Sequence, residues 1–142
     1  MKCTHRNHQT FPVRAAAVAL LVGGCALVDE RPAIIGEWVV VAVHIARYTE
    51  PAPPGLQFSF FDGGAVESRR GDAGACAGTY QSGAQGALAV AIVCEPGADS
   101  TLDRYTNILT SAARYGEYRG RAYIYGVRED PRDPVLELRR VH

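Results

Sequence analysis

The sequence predicts an α+β domain built on an antiparallel β-sheet with one main helix. Most of the chain after residue 33 consists of short apolar or alternating segments that are separated by glycine and proline. Such segments are typical of strands. One segment, at about residues 100–115, instead repeats its apolar residues every three or four positions, which is the period of a helix face. Strands before and after a single helix indicate an α+β fold.

The first half of the domain is predicted to contain three strands. Residues 34–45 are almost continuously apolar and β-branched, which predicts a mostly buried strand that places Trp38 and His44 on the same face. Three prolines predict a loop over residues 48–55. Residues 56–60 alternate, and the following Asp62-Gly63 predicts a two-residue type I′ hairpin turn before a strand over residues 65–69.

The second half is predicted to contain two strands, the helix and two further strands. Residues 76–81 and 88–94 form the first pair, whose second strand points Leu88, Val90, Ile92 and Cys94 to one face. Ser100 and Asp103 resemble a capping box at the start of the helix, and Gly116 is suited to its end. Residues 118–127 and 135–141 are the last two strands, joined by an exposed turn.

The first 24 residues have the pattern of a secretory signal. Lys2, Arg6 and Arg14 precede ten mostly apolar residues, and no acidic residue occurs among them. Ten residues are too few to cross a bilayer core, which needs about 20. The run Leu21-Val22-Gly23-Gly24-Cys25 resembles the lipobox of bacterial lipoproteins, and this resemblance implies that Cys25 is acylated and becomes the first mature residue. The alternatives are an ordinary secretory signal and an uncleaved signal anchor.

The chain is therefore divided into a signal peptide (1–24), a lipidated tether (25–33) and one folded domain (34–142). The 118 residues left after cleavage are enough for one hydrophobic core and too few for two domains. They carry 12 basic and 15 acidic residues, a formal net charge of −3. No basic run is longer than two residues, so no nucleic-acid partner is expected.

The expected location is the cell envelope, with membrane lipid as the partner of the acylated Cys25. Several acyl chains hold a domain stably at a membrane surface, whereas one alone is marginal. Ala26 follows the cysteine, which resembles the sorting of lipoproteins to the outer membrane of bacteria with two membranes. In such a host the domain is expected on the periplasmic side of that membrane.

Two cysteines remain for the folded domain, Cys76 and Cys94. In an oxidising compartment they most simply form one disulfide. Closing this loop stabilises the fold by about 3 kcal/mol in the chain-entropy model. A metal site is the alternative, but two cysteines do not complete a tetrahedral shell, and His44 and His142 lie at no motif spacing from them. No metal and no cofactor are expected.

The folded domain resembles the META domain (HslJ-like) family of bacterial envelope lipoproteins. The resemblance covers about residues 34–141 and rests on the order and spacing of the segments. The residues that carry it are Gly36-Glu37-Trp38, Leu56-Gln57-Phe58, the run 75–80 around Cys76, the strand that ends at Cys94, and Val135-Leu136-Glu137-Leu138. The chain departs from the family at Ala75 and Ala77, where the family typically has Gly and Asn beside the first cysteine.

This resemblance implies a small, partly barrel-like sheet with one helix, an envelope location, and roles in stress or drug tolerance. The expected function is that of a membrane-anchored envelope lipoprotein with a non-catalytic binding or structural domain. The alternative is a periplasmic inhibitor of a protease or other hydrolase, which would insert the proline-rich segment 48–55 or the N-terminal arm into a cleft. A carrier of a small apolar ligand is a third interpretation.

No catalytic residue is predicted. His44 is the one imidazole inside the domain, and its apolar neighbours indicate a packed or strand-end side chain rather than a catalytic base. Tyrosine and arginine side chains beside each other are favoured at protein–protein contacts. They predict a candidate interaction face for an envelope protein partner, although the same rings would also serve to cover the sheet. Its residues are Tyr115, Tyr118, Tyr123, Tyr125, Arg119 and Arg121.

We predict that Cys25→Ser yields an unlipidated and mislocalised protein, because the thiol that accepts the lipid is absent. Cell fractionation and intact-mass measurement of wild type and variant test this. Recovery of the variant in the same membrane fraction with the same lipid mass would refute the anchor.

Overall fold

The computed structural model describes residues 33–72, 74–126 and 132–142. Within these ranges, nine strands and one α-helix follow one another along the chain. They are β1 (Gly36–Ile45), β2 (Tyr48–Pro51), β3 (Leu56–Phe60), β4 (Ala65–Arg70), β5 (Ala75–Ser82), β6 (Leu88–Cys94), α1 (Ser100–Thr110), β7 (Ala112–Tyr118), β8 (Arg121–Gly126) and β9 (Val135–Arg140).

The strands form one antiparallel sheet that curves into a half-barrel. The order across the sheet is β6-β5-β4-β3-β1-β9-β8-β7, and β2 pairs with the second half of β1. An isolated bridge between Ala87 and Arg114 joins the two ends of this order. The predicted α+β class with an antiparallel, partly barrel-like sheet and one main helix is confirmed.

The inside of the half-barrel is filled by large side chains. Trp38, Phe58, Phe60 and Tyr105 are each at most 1% exposed. The helix α1 places its buried residues, among them Leu102 and Leu109, against this core. Because hydrophobic burial scales with apolar area, each of these rings contributes more to the core than a smaller buried side chain does.

The helix is shorter than predicted and begins with a different cap. Asp99, not Ser100, is the N-cap, and its Oδ1 accepts a hydrogen bond from the Leu102 backbone N–H at 2.7 Å. The helix ends at Thr110 rather than near residue 115. The residues that follow form β7, because pairing with β8 satisfies their backbone groups and overrides the local helical spacing.

Two hairpins also differ from the prediction. Residues 48–51, expected in a loop, form β2, with Pro51 as its last residue, where a missing N–H costs no internal bond. The turn after β3 has positive φ at Gly63 (94°) and Gly64 (90°) but not at Asp62, so it is not the predicted type I′ turn. A two-residue turn with positive φ at both positions does occur in the domain, but it joins β7 to β8.

A β-bulge at Val41 switches the faces of β1. Val40 lies opposite Leu138 of β9, but Ala42 lies opposite Glu137, so Val41 has no partner on that strand. One extra residue reverses which face each later side chain occupies. Trp38 therefore lies in the core while His44 lies on the other side of the sheet, and the prediction that they share a face was wrong.

The structure contains the predicted disulfide between Cys76 and Cys94, with an S–S distance of 2.09 Å. The two cysteines are direct cross-strand partners on β5 and β6. A buried polar pair lies beside them: the hydroxyls of Ser68 and Thr106 are 2.8 Å apart, and Thr106 Oγ1 lies 3.5 Å from Cys76 Sγ. The hydroxyls of Ser68 and Thr106 thus satisfy each other, which avoids the cost of two unsatisfied buried groups.

Arg140, near the C-terminus, holds the first residues of the described chain in place. The guanidinium of Arg140 donates to the carbonyl oxygens of Ala33 at 2.8 Å and Ile35 at 2.9 Å. It also lies over the Trp38 ring, 4.3 Å from its centroid. Gly36 leaves room for this guanidinium, since a Cβ there would lie 2.6 Å from Arg140 Nη1. The place where the N-terminal segment joins the sheet is therefore fixed.

The half-barrel closes where a glycine touches β7. A Cβ on Gly86 would overlap the backbone carbonyl oxygen of Tyr115, and Gly86 has a φ of 75°. Gly120, in the β7–β8 turn, has the same φ of 75°, but a Cβ added to it would meet no atom within 4 Å. The two glycines share the backbone requirement and differ in the space around them.

We predict that Gly120→Ala costs about 1 kcal/mol in unfolding free energy, from the left-handed backbone alone. Gly86→Ala adds the overlap with a β7 carbonyl and is expected to cost about 1–3 kcal/mol more. Urea denaturation of the two variants and wild type measures both effects. If both variants lose the same unfolding free energy, the contact between Gly86 and β7 is not tight.

Candidate functional site

The candidate site lies on the outer face of the sheet, the side opposite the core. It is a cluster around one carboxylate, contributed by β1, β2, β8 and β9. Its members, which we call the Glu137 cluster, are His44, Thr49, Arg121, Tyr123 and Glu137. Cross-strand register places them together, because Glu137 lies opposite Tyr123 on β8 and opposite Ala42 on β1.

Glu137 is held from two sides. Its Oε2 lies 2.7 Å from His44 Nε2, and its Oε1 accepts a hydrogen bond from the Arg121 guanidinium. On the far side of the imidazole, His44 Nδ1 lies 3.1 Å from Thr49 Oγ1. The Tyr123 ring is tilted toward His44, with centroids 6.5 Å apart. These neighbours leave Glu137 only 5% exposed although it is on the outer face.

The surroundings of Glu137 favour its charged form. Burial raises the pKa of the carboxyl, but the hydrogen bonds from His44 and Arg121 and the positive charge of Arg121 lower it by more. The pKa of Glu137 is therefore below its usual value. Glu137 therefore keeps its negative charge at a fixed, nearly buried position on the outer face of the sheet.

The ionised carboxylate also orients the imidazole. In the neutral ring, Nε2–H donates to Glu137, so Nδ1 accepts from the Thr49 hydroxyl. The result is a chain of hydroxyl, imidazole and carboxylate that crosses three strands. Arg121, whose side chain is 51% exposed, neutralises the carboxylate from the other side. The arrangement fixes the rotamers of His44 and Arg121 and presents them in a defined geometry, as a binding surface requires.

The structure places most residues of the predicted interaction face on the outside of the sheet and one of them against the core. Tyr118, Arg121, Tyr123 and Tyr125 occupy outward positions of the β7–β8 hairpin, and Arg119 is at its tip. Tyr115 differs from the prediction, because it lies opposite the buried Ile124 and packs against the core. Tyr115 and Tyr118 are three residues apart on one strand, so alternation places them on opposite faces. The guanidinium of Arg114 lies over the Tyr125 ring, 5.4 Å from its centroid.

Sequence reasoning missed Glu137 as part of a site, and treated His44 as a packed side chain. A signal was present, since Glu137 is the one charged residue between apolar neighbours of the last strand. Its partner His44 could not be found in this way, because the bulge at Val41 decides on which face His44 lies. The predicted lipidation site Cys25 lies outside the described residues.

Two depressions lie elsewhere, beside the β5–β6 hairpin, with volumes of about 240 and 280 Å³. Both are lined by Gln81 and Ala89, and neither includes a member of the Glu137 cluster. The inside of the half-barrel, by contrast, is occupied by the buried rings described above. The ligand-carrier interpretation finds no support in these features.

Fold and cluster together define a small α+β half-barrel domain with a polar cluster on its outer face. No family model and no curated protein matches the chain. Among solved structures, a DUF4847 family protein from Bacteroides vulgatus ATCC 8482 is similar, with a TM-score of 0.59 and 15% sequence identity. The match covers 73% of this chain and 91% of that chain. A similarity at this identity shows a shared fold and leaves the resemblance to the META domain a prediction.

Within the described residues, no helix has the length and apolar character needed to cross a membrane.

We predict that Glu137→Gln lowers the unfolding free energy by about 2 kcal/mol at pH 7, because hydrogen bonds to a charged group are lost. Since the folded pKa of Glu137 is below that of the unfolded chain, its contribution is present above about pH 4.3 and disappears as the pH falls through the folded pKa. The difference between wild type and variant should therefore shrink at acidic pH. Urea denaturation at several pH values measures this.

Glu50→Gln is the matched control for this variant. Glu50 makes a bidentate ion pair with Arg104, at 2.8 and 2.9 Å, but both side chains are about half exposed. Exposed pairs contribute little. A loss for Glu50→Gln as large as that for Glu137→Gln would contradict the special role of the buried carboxylate.

Proposed function

We propose that this protein is an exported, lipid-anchored envelope protein whose META-like domain binds a protein partner through the Glu137 cluster and the tyrosines beside it. The lipobox-like run that ends at Cys25 supports the anchor. The order of strands, disulfide and helix supports the family resemblance, and with it a part in envelope stress or drug tolerance. The role proposed for the domain is binding or structural rather than catalytic.

The observation that carries this proposal is the burial of Glu137 on the outer face of the sheet. A half-barrel needs apolar side chains inside, but nothing in its packing requires a nearly buried carboxylate outside. Here Glu137 fixes His44 and Arg121, and so lowers the entropy that these side chains would lose on meeting a partner. Ordered aromatic and arginine side chains are the residues most often found at binding hot spots.

The chemistry of the face indicates the kind of partner. Arg121 and Arg139 are direct cross-strand neighbours on β8 and β9, and both are exposed. Glu137 pairs with Arg121, so the positive charge of Arg139 is the further charge that an anionic group of a partner would offset. Tyr123 provides a half-buried ring next to these arginines, and Tyr125 provides another two residues further along β8. We expect a partner that contributes carboxylates together with apolar surface.

The hydrolase inhibitor is the second candidate, and one observation favours it. Tyr48, 78% exposed, stands at the end of the β1–β2 hairpin, whose turn holds Ala46 at a positive φ of 51°. A projecting, backbone-fixed hairpin is a suitable shape for insertion into a cleft. The segment expected to insert is, however, tied to α1 through the pair of Glu50 and Arg104.

Crosslinking in intact cells tests the two candidates. The lipidated protein is tagged after His142 and compared with a variant that combines Tyr123→Ser and Tyr125→Ser, and with Tyr48→Ser as the matched control. We expect one dominant partner that is lost from the double variant and retained by Tyr48→Ser, because only the first removes contact area from the outer face. Thermal unfolding of each variant checks that the fold is intact.

The opposite pattern would support the inhibitor. In that case Tyr48→Ser loses the partner, the double variant keeps it, and the partner is a hydrolase whose activity falls in the complex. A diffuse set of neighbours that all variants share and that follows membrane location alone would overturn the proposal of a specific binding face.

A further inference from the structure

One end of the sheet gathers exposed apolar and aromatic side chains around the point where the described chain begins. We call it the tether end. Gly36 lies opposite Phe60, so the turn after β3 is next to the start of β1. The last residues of β9 and the β7–β8 turn lie at the same end, because Arg139 is opposite both Val39 and Arg121. The large side chains exposed there are Phe61 (41%), Tyr118 (60%) and Val141 (38%).

The other end of the sheet is occupied by the helix, and the exposed apolar side chains near it, Tyr48 (78%) and Val93 (76%), lie on the separate strands β2 and β6. The helix α1 is connected to it through Arg70, which binds the N-cap Asp99 at 2.7 Å, and through the pair of Glu50 and Arg104. The disulfide lies at this end as well, since Cys76 pairs with Ser68 near the end of β4. The tether end is therefore the end of the half-barrel that α1 does not occupy.

The length of the N-terminal segment limits which end can approach a membrane. The stretch from Cys25 to Ala33 spans at most about 30 Å when fully extended. β1 has 10 residues and is about 33 Å long. Because Arg140 fastens Ala33 to the sheet, the far end, with Tyr48, reaches the membrane only if the segment runs back along the whole domain.

The chemistry of the tether end suits a lipid interface rather than a purely electrostatic contact. At this end the positive charges of Arg119, Arg139 and Arg140 are matched in number by the negative charges of Glu37, Asp62 and Glu117, and Arg140 lies 3.4 Å from Glu117. Arg119 lies over the Tyr118 ring, 5.1 Å from its centroid, which combines an aromatic ring with a long cationic side chain. Rings of this kind are enriched at the level of lipid headgroups, and arginine extends its charge toward water.

The turn that presents this pair is strained. Arg119 has a φ of 51°, a conformation that glycine or asparagine adopts at lower cost. Non-glycine residues in this region occur preferentially at functional sites. The strain is thus consistent with a role for the Arg119 side chain that a glycine would not fulfil.

We infer that the tether end rests on the membrane surface, with Phe61, Tyr118 and Val141 in the headgroup region, so that the outer face with the Glu137 cluster stands roughly upright and accessible from the side. The inference rests on the lipid anchor in the proposed function. The occupant of this end is a lipid surface, held there by the tether and by apolar contact, and the contact does not depend on anionic lipid.

Tryptophan placed at each end of the sheet tests this orientation. Purified lipidated protein carrying Phe61→Trp or Tyr118→Trp is reconstituted into phosphatidylcholine vesicles with brominated acyl chains. Tyr48→Trp, at the far end, is the matched control. Trp38 is 1% exposed and provides the same background in every variant.

We expect Phe61→Trp and Tyr118→Trp to lose about half of their added emission to bromine, as side chains roughly 5–10 Å into the interface do, and Tyr48→Trp to lose none. Equal quenching at both ends, or quenching of Tyr48→Trp alone, would overturn the orientation while leaving the anchor intact. Failure of the protein to float with the vesicles would overturn the anchor and the orientation together.

Discussion

The architecture depends on one irregularity, the bulge at Val41. β1 is the central strand, which pairs with β3 and β2 on one side and with β9 on the other. Its first half must supply Trp38 and Val40 to the core, and its second half supplies Val43. Strict alternation cannot place both Val40 and Val43 inside. The extra residue resolves this conflict, and in doing so turns His44 outward to meet Glu137.

The local sequence pattern was sufficient to predict most of the fold, but it was not sufficient to predict the candidate functional site. The alternation of residues 56–60 and 88–94 predicted β3 and β6, and the cysteines predicted the disulfide, because these signals lie within single strands or pairs of residues. The helix was predicted too long because the apolar stripe continues to Ala112 and Gly116 is suited to a helix end, and only pairing with β8 makes these residues a strand. The contact of His44 with Glu137 spans 93 positions and depends on a bulge that no local pattern marks.

The domain presents two surfaces of different chemistry. The outer face of β8 and β9 is polar and ordered, because an ionised Glu137 fixes the side chains around it. The tether end is apolar and aromatic, and its large side chains are exposed. The two surfaces adjoin at Tyr118 and Arg139, since each of these residues is a cross-strand partner of Arg121.

The fastening of Ala33 by Arg140 has a consequence for how the chain acquires its structure during synthesis. The central ladder joins the first strand to the last, so the sequence separation of its contacts is nearly the length of the domain. Contacts of such high order form slowly, since a long loop must close first. The core strand β1 therefore lacks one of its neighbours until the final residues emerge, and the domain cannot complete its fold vectorially from its N-terminus.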